Sequence, residues 1–186
     1  DTEAQNARIK FSKSKDLNKN FNEIKKLMCG ESSSFPWYFN PTNLKEHSQS
    51  NLKEHPQFMF VHVFKENNKV LSPYNEHLDI CYEKIHKIFP YTHVARCKAN
   101  LYTNQNKHVK HGKHQDMHDV KKYYMSAIYH INKCNGYTNV FNKKTNKFKK
   151  ILQEENQLII FSGDTTHYGV TQTDTQTRCV INFVVQ

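Results

Sequence analysis

Residues 155–167 read ENQLIIFSGDTTH, and residues 177–185 read TRCVINFVV. The first stretch is an apolar run from Leu158 to Phe161 closed by a Gly163-Asp164 turn, so His167 opens a new extended segment. The second is a strand whose neighbours Cys179, Val180, Ile181 and Phe183 are apolar, yet it begins with Arg178. A guanidinium in such a strand is costly unless a carboxylate meets it. The chain uses three Arg against 24 Lys, which points to a need for a planar, bidentate donor at this position. That carboxylate could belong to an internal Asp or Glu, in a salt bridge, or to a bound acid.

Outward from these two stretches, strand-period runs occupy 94–103, 123–132, 136–141 and 148–153, besides 157–162, 167–171 and 177–185. Toward the N-terminus the period becomes helical. Leu17, Phe21, Ile24, Leu27 and Met28 predict an amphipathic helix over about 16–29, with Gly30 as its C-cap. Ser72-Pro73 supplies an N-cap and an N1 proline for a helix over 73–89, stopped by Pro90. Between the helices, FMFVHVF at 58–64 reads as a strand and FPWYF at 35–39 as an aromatic anchor. Helices followed by about seven strands predict an α+β, mainly β, sandwich or jelly roll with the N-terminal helices bracing one sheet. The expected organisation is one domain over 1–186, with helical support in 1–92 and the core strands in 93–186.

Composition narrows the class. Five cysteines without C-x-x-C spacing fit neither a disulfide framework nor a structural zinc site, and read as free thiols. No run of 18 apolar residues suggests a membrane span, and DTEAQNAR at the start lacks a signal-peptide profile, so the expected location is the cytoplasm. The net charge of +10 favours anionic partners, nucleic acid among them. Twenty Asn accompany the Lys, however, and A/T-rich codons would produce both. The tandem NLKEHSQS and NLKEHPQF at 43–58 reads as a duplicated surface loop.

In HQD, His114 and Asp116 sit at i and i+2, so on extended chain both side chains face one way and Gln115 the other. The spacing alone decides little. Twelve His and 17 acidic residues yield about one H-x-[DE] by chance. A second copy, His77-Leu-Asp79, lies in the helical stretch, where its two side chains diverge. His108, His111 and His118 crowd the same stretch as His114 and offer a rival reading, a loose histidine-rich metal loop. With His167 and Arg178 added, the set is two imidazoles, one carboxylate and a trailing arginine, which suits an open mononuclear Fe(II) site beside a clamp for an acidic cosubstrate.

The motifs RCKANLYT, HQD, AIYHIN, NGYTNVF, ENQLIIFSGDTTH and DTQTRCVINF, in order over about 94–185, resemble the 2-oxoglutarate/Fe(II)-dependent dioxygenases. The likeness is to the prolyl-4-hydroxylase-like branch and to the small oxygenases of phages and viruses. The resemblance implies a double-stranded β-helix, a distorted jelly roll. It implies Fe(II) on His114, Asp116 and His167, and Arg178 on the distal carboxylate of 2-oxoglutarate. Tyr102, Ile128 and His130 would line the cosubstrate pocket, although relatives often carry Tyr at position 130. The activity implied is O2-dependent hydroxylation of a C–H bond coupled to decarboxylation of 2-oxoglutarate, with ascorbate stimulating and the host cytoplasm as the location if the source is viral. The substrate expected is a peptide or small molecule, a peptidyl proline first.

Two other readings compete: a non-catalytic jelly-roll binding module and a basic nucleic-acid-binding protein. Ten residues separate His167 from Arg178, about 35 Å if extended, so a hairpin is expected within Thr171–Thr177. The long polar stretches 31–57 and 104–113 are expected to act as mobile lids.

Overall fold

The computed structural model describes residues 10–12, 18–30, 33–41, 57–117 and 122–186. Most of the 43–58 duplication, most of the 31–57 stretch and His118 lie outside the described residues. Two antiparallel sheets carry the molecule. The larger has eight strands: β1 (Lys10–Ser12), β2 (Tyr38–Asn40), β3 (Met59–Glu66), β4 (Lys69–Val70), β5 (Val94–Thr103), β6 (Met125–His130), β9 (Gln157–Ser162) and β11 (Thr177–Val185). Their order is β1-β9-β6-β11-β5-β3-β2, with β4 paired to β3. The smaller sheet holds β7 (Cys134–Asn142), β8 (Lys147–Gln153) and β10 (His167–Val170), in the order β10-β7-β8. This is the mainly β jelly roll expected. The larger sheet draws strands from both parts of the chain, since β3 pairs along β5.

Period-two alternation gives the larger sheet two different faces. Cys97, Ala99, Ala127, Tyr129, Ile131, Leu158, Ile160, Cys179, Ile181 and Phe183 lie on one face, buried beneath the helices. There α1 (Asn18–Cys29) contributes Phe21, Ile24 and Met28, and α2 (Asp79–Ile88) contributes Cys81 and Ile85. The opposite face packs Met59, Tyr102, Ile128, Ile159, Phe161 and Val180 against Val140 and Ile151 of the smaller sheet. This second face is shallower in apolar content, and Tyr102, Ile128 and Arg178 occupy it.

The predicted helices differ in detail. The chain after Ser72 is a 3-10 helix over Pro73–Leu78 before α2 begins, with the Ser72 hydroxyl accepting from the Tyr74 N–H. Gly30 follows α1 without a positive φ. Glycine is required there by crowding, since a Cβ would lie 2.3 Å from the Lys26 carbonyl oxygen. The β3–β4 hairpin turns on Asn67 and Asn68, both at positive φ, the backbone that a two-residue turn demands. The FPWYF anchor holds: Phe35 is buried among Trp37, His62, Phe64 and Tyr74. All five cysteines are free thiols. Among the described residues no helix is long and apolar enough to cross a membrane.

Two expectations are corrected. Thr171–Thr177 holds no hairpin, because β10 and β11 do not pair: one belongs to the smaller sheet and the other to the larger. The segment is a crossover between sheets, fixed where Gln172 donates to the Tyr102 carbonyl and Asn104 donates to the carbonyls of Thr173 and Thr175. The 104–113 stretch is a docked segment and no free lid. It runs antiparallel beside β10, with Lys110 bridged to Val170 and His111 N–H donating to the Gly169 carbonyl. Val109 N–H donates to the Thr171 hydroxyl, and Val109 and His111 are buried.

Candidate functional site

The docked segment delivers His114 to the mouth of the sandwich. His114 and His167 exchange both backbone hydrogen bonds, at 3.0 and 2.9 Å, so two residues far apart in sequence are held side by side. Asp116 follows two residues later, while Gln115 turns away to donate to the Asp164 carbonyl. The potential ligand atoms of His114, Asp116 and His167 lie within 4.8 Å of one another. His114 Nε2 is 3.9 Å from Asp116 Oδ1, and His167 Nε2 is 3.7 Å from Oδ2.

Each ring has its tautomer set by the backbone. His114 Nδ1 faces the Gly112 carbonyl at 3.0 Å and His167 Nδ1 faces the Thr165 carbonyl at 3.0 Å. A carbonyl only accepts, so Nδ1 carries the proton and Nε2 keeps its lone pair toward Asp116. His167 Nε2 is buried with no hydrogen-bond partner. A divalent cation would satisfy that atom, and two imidazoles with one carboxylate and an open side suit Fe(II). Burial would raise the Asp116 pKa, but His167, Arg96, the Ser126 hydroxyl at 2.7 Å and His114 together hold it below the usual carboxylate value. Burial likewise pushes His167 down, against the pull of Asp116.

Arg178 is buried to 2 % exposure and has no Asp or Glu partner within 4 Å among the described residues. The internal salt bridge is therefore not what holds it. Its Nη2 donates to Thr138 Oγ1 at 3.0 Å, its Cζ lies 5.3 Å from the centre of the Tyr102 ring, and its Nε has no hydrogen-bond partner among the described residues. Glycines make the room. A Cβ at Gly136 would sit 2.7 Å from Arg178 Cδ, and one at Gly169 would sit 3.1 Å from Nη1. Burial lowers the guanidinium pKa and raises that of Tyr102, each partly offset by the other group.

One cavity of about 520 Å³ joins the ligand set to this arginine. Its wall includes His114, Asp116, His167, Arg178, Tyr102 and Ile128. His130 lies off that wall. It is fully buried, with Nδ1 3.0 Å from Gln157 Oε1 and Nε2 unpartnered, and burial with the Arg178 charge pushes its pKa to about 3. His111 enters the cavity wall from the docked segment, edge-on to Tyr102 at 4.8 Å, with its pKa pushed to about 4 by burial, Arg178 and His114. His108 instead points to the Thr171 carbonyl. The second H-x-D copy splits between the 3-10 helix and α2 and joins no ligand group.

Sequence reading passed over Arg96, Lys98 and Asn100. On β5 they alternate with Cys97, Ala99 and Leu101, so the polar set Arg96, Lys98, Asn100, Tyr102 faces the cavity. Polar residues at period two between apolar ones were the available signal. Arg96 Nη2 lies 3.4 Å from Asp116 Oδ1.

The buried histidines carry a pH prediction. His111 and His130 stay neutral in the fold below the value of 6.5 at which the unfolded chain protonates them. The unfolded state then binds more protons, so stability falls as pH drops from about 6.5 toward 4, by roughly several kcal/mol for the two groups together. Denaturant midpoints of the metal-free chain should fall steeply between pH 7 and pH 4.5, and a flat profile would contradict the burial described.

No protein-family model matches the sequence, and no curated protein matches it in sequence. Solved structures do match in fold. An oxidoreductase of the 2OG-Fe(II) oxygenase family from Burkholderia pseudomallei is 13% identical with TM-score 0.60, over 81% of this chain and 73% of that one. A prolyl-4-hydroxylase from Pseudomonas putida is 10% identical with TM-score 0.61, over 98% and 94%. A Trichoplax adhaerens prolyl hydroxylase, solved with a peptide fragment of the hypoxia inducible factor oxygen degradation domain, is 13% identical with TM-score 0.56, over 91% and 76%. The chain has the jelly-roll fold of the 2-oxoglutarate/Fe(II)-dependent oxygenases, prolyl hydroxylases among them.

Proposed function

We propose that this chain is an Fe(II)- and 2-oxoglutarate-dependent dioxygenase that hydroxylates a C–H bond, with a peptidyl proline as the first candidate substrate. One observation carries the reading: a His-Asp-His group able to hold a metal and a buried arginine lacking a carboxylate partner among the described residues share one cavity. His114, Asp116 and His167 would hold Fe(II). Bound there with 2-oxoglutarate and O2, the metal supplies the oxidising chemistry, while the cosubstrate leaves as succinate and CO2.

The chain's own residues bind and orient. Arg178 and Thr138 would receive the distal carboxylate, an interaction strengthened by the low-dielectric surroundings. Tyr102 and Ile128 would wall the cosubstrate, with His130 off that wall and bonded to Gln157. Arg96 and Ser126 hold Asp116 in place. Met59 and Val180 add apolar surface that excludes water from the reacting end. The proline guess rests on the prolyl hydroxylases among the fold neighbours.

The test is succinate release from 2-oxoglutarate with Fe(II), O2 and ascorbate, across peptides, free amino acids and nucleosides. Release should be stimulated by a substrate, with prolyl peptides first and ascorbate raising the yield. No release, together with no calorimetric binding of Mn(II) or 2-oxoglutarate, would favour a non-catalytic binding module. Gly136→Ala should push Arg178 out of register and weaken 2-oxoglutarate binding about tenfold, read by titration beside a melting curve that shows the fold retained.

A further inference from the structure

Charge on the cavity wall exceeds what the metal and cosubstrate use. Three cationic side chains, Arg96, Lys98 and Arg178, face it against one carboxylate, Asp116. Arg96 is matched by Asp116. Fe(II) and Arg178 then meet the two negative charges of 2-oxoglutarate with one positive charge left over, and Lys98 adds a second. No Asp or Glu among the described residues lies within 4 Å of Lys98. Placing this ammonium beside a metal site costs energy that Asp116, already shared with Arg96 and the ligand set, returns only in part.

The neighbours of Lys98 are amides. Asn182 sits directly across from it on β11, and Asn100 follows two residues along β5 on the same face. Asn100 is 4 % exposed, and the Oδ1 atoms of both Asn100 and Asn182 are buried without partners. An oxygen of this kind asks for an N–H or O–H from a ligand. A cation next to two such acceptors is complementary to an anion with a hydrogen-bond donor beside it.

We propose that Lys98, with Asn100 and Asn182, binds the α-carboxylate and adjacent N–H of the primary substrate, so that the substrate is a free amino acid or the C-terminal residue of a peptide. The proposal rests on the oxygenase reading for the reaction but not for the binding. A residue inside a peptide lacks the α-carboxylate and leaves Lys98 unmatched, and an internal proline lacks the N–H as well, so a free or C-terminal residue takes the place of the internal prolyl candidate. Lys98 is a specificity residue in this scheme, and Arg96 reinforces its field from the next cavity-facing position.

The experiment is calorimetric titration of the full chain, metal-free and separately with Mn(II) and 2-oxoglutarate. The probes are free L-amino acids, their N-acetyl acids and their N-acetyl amides. An acid form should bind at least tenfold tighter than its amide; the preference should disappear in Lys98→Met, persist in part in Lys98→Arg and weaken with added salt. Tighter binding of the free amino acid identifies a metabolite, and tighter binding of the N-acetyl acid identifies a peptide C-terminus. Equal binding of acid and amide, no binding of any acid, or an undiminished preference in Lys98→Met overturns the proposal. Lys98→Met also overturns it if 2-oxoglutarate affinity alone is lost, because Lys98 would then serve the cosubstrate. Failure of Mn(II) and 2-oxoglutarate to bind, with the acid preference intact, sinks the oxygenase reading instead. Melting curves for Lys98→Met and Lys98→Arg establish that each variant is folded.

Discussion

Arg178→Met weakens 2-oxoglutarate binding by at least about 100-fold and leaves the melting temperature of the metal-free chain unchanged or higher. The two halves of this result come from the same fact. Arg178 is buried without a carboxylate, with one hydrogen bond to Thr138 and an aromatic neighbour in Tyr102. Its desolvation is only partly compensated in the free protein, so an apolar side chain of similar length removes a cost and fills the space between Gly136 and Gly169. On the proposed reading the acid that compensates the guanidinium is the ligand, so affinity disappears with it. A structural salt bridge predicts the reverse pattern, a loss of about 3–5 kcal/mol in stability when one partner of a buried pair is removed. Calorimetric titration with 2-oxoglutarate alongside a thermal melt separates the two, and a large fall in melting temperature would return Arg178 to a purely structural role.

Asp116→Ala should abolish tight Mn(II) or Fe(II) binding, a loss beyond the roughly 10–100-fold that removal of an outer-shell partner costs. Asp116 is the sole anion among the three proposed ligands, and two neutral imidazoles alone would neither balance the cation's charge nor complete the facial set. Ser126→Ala removes one hydrogen bond to the same carboxylate and belongs to the outer-shell range. The ordering of these two variants by metal titration is the check, and equal affinities would remove Asp116 from the coordination sphere. The electrostatics add a sign. Because its neighbours hold the Asp116 pKa below the ordinary carboxylate value, the stability that the ionised form contributes is present above the unfolded carboxyl's pKa. It is lost as pH falls through the lower, folded value, and Asp116→Ala removes that part of the acid sensitivity.

Much of the fold was legible because it is written in local periods. β5, β9 and β11 match their predicted spans, and the shift from helical to strand period after Pro90 marks where the sheet's central strands begin. His114 and Asp116 were legible as a spacing but not as a site, since the His77-Asp79 copy has the same spacing and joins no ligand group among the described residues. The row Arg96, Lys98, Asn100 was missed because an arginine and a lysine in a lysine-rich chain look like solvated surface until the opposite face is seen to be buried. The hairpin expected before Arg178 failed for a related reason. Thr, Gln and Asp signal a turn, but a turn's composition does not say which strand the chain joins after it.

The sequence by itself determined the alternation of the strands, the two helices, the free thiols and the residue types able to hold a metal and a carboxylate. Each follows from covalent geometry over a few neighbouring residues. Only the tertiary structure decided that residues 104–117 dock along β10 to bring His114 beside His167, that Arg178 has no carboxylate partner among the described residues, and that Lys98 faces the same cavity. Those outcomes depend on which distant strands pair and which charges are left unpaired once water is excluded, and no local pattern carries that information.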